Sequence, residues 1–178
     1  MYIRQLFAQK SCVFSLEVFP PRQQASYESL QNALRRMAEL KPDFISVTYG
    51  AGGTVPGGVS TCQIASFLKN ELNIEPLAHL TCVGASEEML RARLDELFAA
   101  GIRNVLALRG DKNPERPLRP PFLHASDLAA FIQSQYGSFG LSGACYPEGH
   151  PESVSLAEDV TNLRKKQQAG VAHLVTQL

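Results

Sequence analysis

The chain has 178 residues, 44% hydrophobic and 19% charged, which is the make-up of one globular domain with enough apolar material for a core. Its 17 basic and 17 acidic side chains cancel. That balance argues against a nucleic-acid surface, where a basic excess is expected, but leaves room for a small anionic ligand that needs only local positive charge.

Two hydrophobic periods alternate along the chain. Short apolar, β-branched runs at Val13–Phe19, Phe44–Tyr49, Leu77–Cys82, Asn104–Leu108, Leu141–Tyr146 and His173–Gln177 predict six strands. Helical patterns lie between them. The first places Leu30, Ala33, Leu34, Met37 and Ala38 on one stripe behind a candidate N-cap, Ser26. The second covers about Val59–Leu72. The third sets Leu90, Leu94, Leu97 and Phe98 on one face, with Ser86 as its cap and Gly101 at the position of a left-handed C-terminal glycine. The fourth covers about Ala125–Gln135. The fifth turns Val160 and Leu163 to one face and ends before Gly170.

Strands alternating with helices predict parallel βαβ units, so the fold class is α/β. The first strand runs into Phe19-Pro20-Pro21-Arg22, which excludes the Gly-rich dinucleotide fingerprint of the open doubly wound fold. Gly50-Ala51-Gly52-Gly53-Thr54 lacks the Lys-Ser/Thr ending of a P-loop and reads as loop punctuation or a ligand-covering loop. An open doubly wound sheet without that fingerprint and a (β/α)8 TIM barrel both fit the alternation, and the barrel is the architecture expected. The sequence supplies six of its strands, so a single barrel domain over 1–178 that stops after strand six is expected, and with it either a longer native product or a fragment poorly stable alone.

Cys12, Cys62, Cys82 and Cys145 are irregularly spaced without a CxxC pair, so neither a metal site nor a redox dithiol is expected. Cys12, Cys82 and Cys145 lie in apolar runs and read as buried free thiols, in keeping with a reducing cytoplasm. The first residues lack a signal-peptide core, and no apolar run reaches the about 20 residues of a membrane helix. A cytoplasmic protein with no membrane or nucleic-acid partner is expected.

In βα barrels the reactive groups stand at the C-terminal strand ends. Polar side chains occur at or near that end of all six predicted strands: Glu17; Thr48 and Tyr49; His79; Arg109 and Asp111; Tyr146 with His150 beyond; and Gln177. Glu17, between Leu16 and Val18, is expected to be buried. There it acts as a general acid with a raised pKa or as a carboxylate paired to a barrel cation for structure. Asp111 follows Arg109 across Gly110, whose missing side chain permits close backbone approach to a flat or anionic ligand. His79 reads as a core histidine or as a ligand contact. Lys165 and Lys166 read as a solvated helix face unless a phosphate lies nearby.

Phe14-Ser15-Leu16-Glu17-Val18-Phe19-Pro20-Pro21-Arg22, Phe44–Ala51, Ala78–Cys82, Ala107-Leu108-Arg109-Gly110-Asp111, Tyr146–Pro151 and Thr176-Gln177, in that order, resemble the methylenetetrahydrofolate reductases. The resemblance implies an FAD-dependent oxidoreductase acting on CH-NH donors, in one-carbon metabolism and methionine biosynthesis. NAD(P)H reduces the flavin, and the reduced flavin then reduces 5,10-methylenetetrahydrofolate to 5-methyltetrahydrofolate. Glu17 matches the proton donor and Asp111 the aspartate near flavin and pterin. These two are the catalytic residues it implies, and with Gln177 they are the folate contacts. Flavin contacts carry over to Thr48, Tyr49, Ala51, His79, Arg109, Gly110, Asp111, Ala125, Tyr146, His150, Asp159 and Lys166, and along the fifth helix to Ser153, Asn162 and Lys165. His124 is a further flavin contact of the resemblance although it stands where a tyrosine is common, and Leu178 stands where an aromatic residue is usual. The family's strand-seven contacts have no counterpart here. A homo-oligomer is expected of the full-length protein. Two rivals stand beside this reading: a flavin-free barrel enzyme acting on a phosphorylated metabolite, and a catalytically incomplete fragment or flavin-binding subunit without reductase activity of its own.

Overall fold

Apolar runs bounded by turn residues become strands, and the stretches with helical spacing become the crossovers between them. The computed structural model describes residues 1–49, 58–112, 114–115 and 117–177. In chain order the elements are α1 (Ile3–Gln9), β1 (Ser15–Val18), α2 (Tyr27–Ala38), β2 (Phe44–Val47), α3 (Thr61–Asn70), β3 (Glu75–Thr81), α4 (Glu87–Ala99), β4 (Asn104–Leu108), α5 (Ala125–Tyr136), β5 (Gly140–Cys145), α6 (Leu156–Gln168) and β6 (Val171–Thr176).

The strands form a six-stranded sheet in the order β1-β2-β3-β4-β5-β6. The β1–β2, β2–β3 and β5–β6 pairs are parallel. This order separates the two parallel architectures. A doubly wound sheet reverses direction at a switch point, whereas here each strand is laid beside its predecessor through a helix. The fold is that of a (β/α)8 barrel carried through its sixth strand, as the sequence predicts.

The chain contains two compact units, Met1–His79 with Ala92–Asn104, and Leu80–Arg91 with Val105–Leu178. In the first, Ile3, Leu34, Ile45, Ile64, Leu68, Leu77, Leu94 and Ile102 are fully buried. Leu34 anchors the predicted stripe of α2. Ser26 does not cap that helix through its side chain, because a 3-10 turn over Gln24–Ser26 leads the backbone in. Ser60 caps α3 instead. Its hydroxyl accepts from the Gln63 N–H at 3.0 Å, and the Gln63 side chain accepts from the Ser60 N–H at 2.8 Å, a reciprocal capping box. Gly101 takes the left-handed φ of +79° that its position after α4 predicts. Phe98, expected on the inner face of α4, is 42% exposed and lies under the Arg103 guanidinium at 3.8 Å. Cys12 is exposed rather than buried, because β1 begins only at Ser15.

Helix α1 lies outside every predicted element. It buries only Ile3 and Leu6, too little for a recognisable stripe, and a polar hub holds it. The Ile3 N–H donates to Asn104 Oδ1 at 2.9 Å, and Asn104 Nδ2 donates to Glu75 Oε1 at 3.0 Å. Lys69 pairs with Glu75 Oε2 at 2.7 Å. Glu75 and Asn104 are the first residues of β3 and β4, so the hub occupies the strand ends away from the expected chemistry.

In the second unit, Leu80, Leu90, Val105, Leu128, Ile132 and Leu141 are among the buried residues. Helix α6 departs from expectation. Val160 is 55% exposed. The inward side instead carries Asp159, which is buried, with Asn162, Leu163 and Lys166 half-buried. These positions have the i, i+3, i+4, i+7 spacing of one helix face, and three of the four are polar.

Asn104→Ala would leave the Ile3 N–H and the buried Glu75 carboxylate short of partners. A loss of about 2–3 kcal/mol in chemical denaturation is expected, with α1 amides losing hydrogen-exchange protection first.

Candidate functional site

Strand register builds the first polar cluster. Glu17 on β1 lies directly opposite Ser46 on β2, and Ser46 lies opposite Leu77 on β3. Side chains alternate with a period of two, so His79 shares the face of Leu77 and comes within reach of Ser46. The Ser46 hydroxyl donates to Glu17 Oε2 at 3.0 Å and lies 2.6 Å from His79 Nε2. Glu17 Oε2 and His79 Nε2 are 3.6 Å apart. Ser46 and His79 are buried. Burial pushes the His79 imidazole down to about 4 from its ordinary 6.5, so it is neutral at neutral pH. Glu17 corrects the sequence expectation: its side chain is 48% exposed and hydrogen-bonded, not buried and alone. A four-residue strand with an eieB burial pattern leaves its third position open.

The second site is a cleft of about 230 Å³ inside the other unit. Arg109 enters from the end of β4, and His124, Ala125 and Ser126 come from the start of α5. The β5–α6 loop gives His150, Glu152 and Ser153, and α6 gives Glu158, Asp159, Asn162, Lys165 and Lys166. These are the C-terminal sides of β4 and β5, where barrel chemistry is expected.

The polar face of α6 organises this cleft. Asp159 accepts from the His150 N–H at 3.1 Å and from the Ser153 hydroxyl at 3.3 Å, which ties the loop to the helix. Lys166 donates to the Ala144 carbonyl at 2.5 Å. Burial lowers the Lys166 pKa, opposed by the nearby Asp159 charge. Lys165 donates to Asn162 Oδ1 at 3.0 Å. The Tyr146 ring stands edge-on to His150, with centroids 4.7 Å apart.

Glu152, which the sequence does not single out, holds the mouth. It takes the Arg109 guanidinium in a two-point pair at 2.8 and 2.9 Å, and Lys112 at 2.7 Å. Arg109, and after it Lys112, lower the Glu152 carboxyl to about 2. The pair joins loops 43 residues apart, and no local pattern announces it. Gly110, at φ +86°, is obligatory: a Cβ there would meet Val83 Cγ1 at 2.5 Å.

Nine predicted contacts thus line one cleft: Arg109, His124, Ala125, His150, Ser153, Asp159, Asn162, Lys165 and Lys166. Gly110 and Tyr146 adjoin its residues. Asp111 is exposed and not among the lining residues. Gln177 is exposed, with its N–H bonded to the Cys145 carbonyl at 2.9 Å. Thr48 and Tyr49 are half-buried after β2, and the Thr48 carbonyl accepts from Thr61 Oγ1 at 2.9 Å. Ala51 and its glycine-rich loop lie outside the described residues. Among the described residues no cluster of metal-ligating side chains occurs, and no helix is long and apolar enough to cross a membrane.

The family model described as methylenetetrahydrofolate reductase matches residues 2–178. The 5,10-methylenetetrahydrofolate reductases of Pectobacterium carotovorum and Escherichia coli K12 are 39% and 38% identical over 163 residues, 92% of this chain and 53% of theirs. An Arabidopsis thaliana methylenetetrahydrofolate reductase (NADH) is 35% identical over 99% of this chain and 32% of its own. The chain therefore spans about half the length of the bacterial relatives it matches. A Clostridium thermocellum protein described as binding two copies of 5-methyl-5,6,7,8-tetrahydrofolic acid superposes with a TM-score of 0.62, covering 98% of this chain and 56% of that one. At 15% identity that likeness speaks for the fold alone.

Two outcomes are expected. The unfolded chain binds the His79 proton more tightly than the folded one between about 4 and 6.5, so stability falls as pH drops through that window. The loss reaches at most about 3 kcal/mol, and His79→Gln should remove it from the pH profile of denaturation. Glu152→Gln, which frees the Arg109 fork, should tighten binding of inorganic pyrophosphate severalfold in calorimetry; unchanged affinity would show that the fork plays no part in anion binding.

Proposed function

Because this chain belongs to the methylenetetrahydrofolate reductase family, we propose that it forms the flavin-holding portion of a reductase that makes 5-methyltetrahydrofolate from 5,10-methylenetetrahydrofolate with NAD(P)H. We propose further that these 178 residues hold FAD without completing the reduction by themselves. The observation that carries the reading is the cleft on α6, where a helix spends its buried face on polar side chains. A helix needed only for packing would fill that stripe with apolar residues.

The donor set fits an anionic dinucleotide. Arg109, Lys165 and Lys166 supply positive charge against the carboxylates of Glu152, Glu158 and Asp159 in the same lining, and the first turn of α5 adds the favourable end of a helix dipole. At about 230 Å³ the cleft is smaller than the roughly 300–1,000 Å³ of a whole small-molecule site, so it accommodates the phosphates and their neighbours rather than an entire FAD. His124 and His150 present rings at the same cleft, Ser153 and Asn162 offer hydrogen bonds, and Asp159 holds the loop that carries His150. Thr48, Tyr49, Ala51, His79 and Gly110 are the further flavin contacts of this reading, and Asp111 and Gln177 its folate contacts. A bound flavin supplies the two-electron relay between nicotinamide and folate.

Glu17 keeps the role of proton donor to a folate ring nitrogen. Its exposure favours this, because a carboxyl that must deliver a proton has to reach the ligand. The observation favouring an incomplete catalyst is strand count: the sheet has six strands among the described residues, and a barrel of this class closes with eight. The reading places the protein in one-carbon metabolism and methionine supply.

The chain mixed with FAD should retain a yellow flavin band through gel filtration yet show no steady turnover with NAD(P)H and methylenetetrahydrofolate. A colourless protein overturns the flavin reading, and steady turnover overturns the incompleteness. In the full-length protein, Glu17→Gln should leave flavin bleaching by NAD(P)H intact and slow recovery by methylenetetrahydrofolate about 10²–10⁴-fold. Loss of both half-reactions would assign Glu17 a structural role.

A further inference from the structure

The hydroxyl of Ser46 lies between the two titratable groups of the first cluster, 3.0 Å from Glu17 Oε2 and 2.6 Å from His79 Nε2. Ser46 is 7% exposed and His79 8%. Neither hydrogen bond can therefore be exchanged cheaply for one to bulk water. A serine hydroxyl has one proton to give and lone pairs to receive with, an ionised carboxylate only accepts, and a neutral imidazole nitrogen does one or the other according to tautomer. The three groups therefore have few consistent arrangements.

We propose that Ser46 is a positioning residue for Glu17: by giving its one proton to the Glu17 carboxylate it holds that half-exposed side chain in place, and it obliges His79 to donate from Nε2. The proposal rests on the reading of Glu17 as proton donor. With Glu17 ionised, the chain of hydrogen bonds runs from His79 Nε2–H to Ser46 Oγ, and from Ser46 Oγ–H to Glu17 Oε2. The opposite direction would leave a carboxylate oxygen facing a hydroxyl lone pair at 3.0 Å. When Glu17 carries a proton the chain can reverse. The carboxyl then donates to Ser46 Oγ, Ser46 donates to His79 Nε2, and the imidazole proton resides on Nδ1. The serine proton only changes which neighbour it is given to, and the tautomer of His79 reports the state of Glu17. Burial keeps the imidazole neutral, which makes the choice of tautomer meaningful, since an imidazolium would donate from both nitrogens.

The test reads the tautomer directly, by 15N NMR of the histidine side chains in the full chain at neutral pH. Wild type should show His79 protonated on Nε2. Glu17→Ala, at an exposed position, frees the Ser46 proton and should move His79 toward the Nδ1–H form. In a Ser46→Ala background the same Glu17→Ala change should no longer alter His79, and Ser46→Thr should restore the response. A wild-type His79 protonated on Nδ1, or one indifferent to Glu17→Ala, overturns the proposal. This arm stands even where Ser46→Ala fails to fold. In the full-length protein Ser46→Ala should slow the folate half-reaction about tenfold while flavin reduction persists, with recovery in Ser46→Thr; an unslowed half-reaction overturns the catalytic part of the proposal. The two readings fail separately. A tautomer switch in a protein whose folate reduction ignores Glu17→Gln removes the donor role and leaves the hydrogen-bond coupling, whereas an indifferent His79 in a protein that needs Glu17 removes the role of Ser46.

Discussion

A parallel strand covered on both faces gives a polar side chain no route to water, so every such group has to find its partner within the protein. Ser46, Thr61, Glu75, His79, Asn104, Ser142 and Asp159 are the buried polar side chains among the described residues. Each is paired: Ser46 with Glu17 and His79, Thr61 with the Thr48 carbonyl, Glu75 with Lys69 and Asn104, Ser142 with His173, and Asp159 with the His150 N–H and Ser153. Among the described residues no buried side-chain polar atom lacks a hydrogen bond. The pairs divide by position along the strands. Glu75 and Asn104, at strand beginnings, tie down α1. Ser46 and His79 instead form a network that ends on an exposed carboxylate, Glu17.

Helix α6 shows the same constraint used in the other direction. Its inward face carries Asp159, Asn162 and Lys166 with only Leu163 between them, while Leu156 and Val160 are 60% and 55% exposed. Burying such a face against an apolar core would be costly; lining an open cleft leaves its polar groups within reach of solvent. Asp159 accepts from loop donors at 3.1 and 3.3 Å and so sets where His150 and Ser153 stand. Glu152 meanwhile holds Arg109 in a two-point pair, which fixes the guanidinium and offsets its charge at the mouth of the cleft.

The family match and the geometry bear on different questions. Identity of 39% over 92% of the chain fixes ancestry, and the span of 53% of that relative leaves the activity of the whole protein a proposal. The cleft on α6 and the Glu17 cluster arise from registers and loops that can be argued without the match, and both fall at the strand ends where this fold keeps its chemistry.

Strand and helix periods and turn residues are enough to read the α/β class, five crossover helices and the location of polar groups at strand ends, because those signals are local; the strand order that makes the sheet a barrel rather than a doubly wound one is not. The Gly101 turn and the buried Leu90 and Leu94 of α4 are legible for the same reason. What sequence spacing could not decide was which polar group meets which. Glu17 read as buried because its neighbours Leu16 and Val18 are apolar, yet neighbours in sequence point to the opposite face of a strand. Val160 read as inward because periodicity counts apolar residues and cannot see that a cleft reverses their preference. The Ser46 bridge, the Glu152 clasp on Arg109 and the anchoring of α1 by Asn104 join residues 29, 33, 43 and 101 positions apart. Only the tertiary structure decides those, because hydrogen-bond partners are chosen by proximity in space and by the cost of leaving a buried group alone.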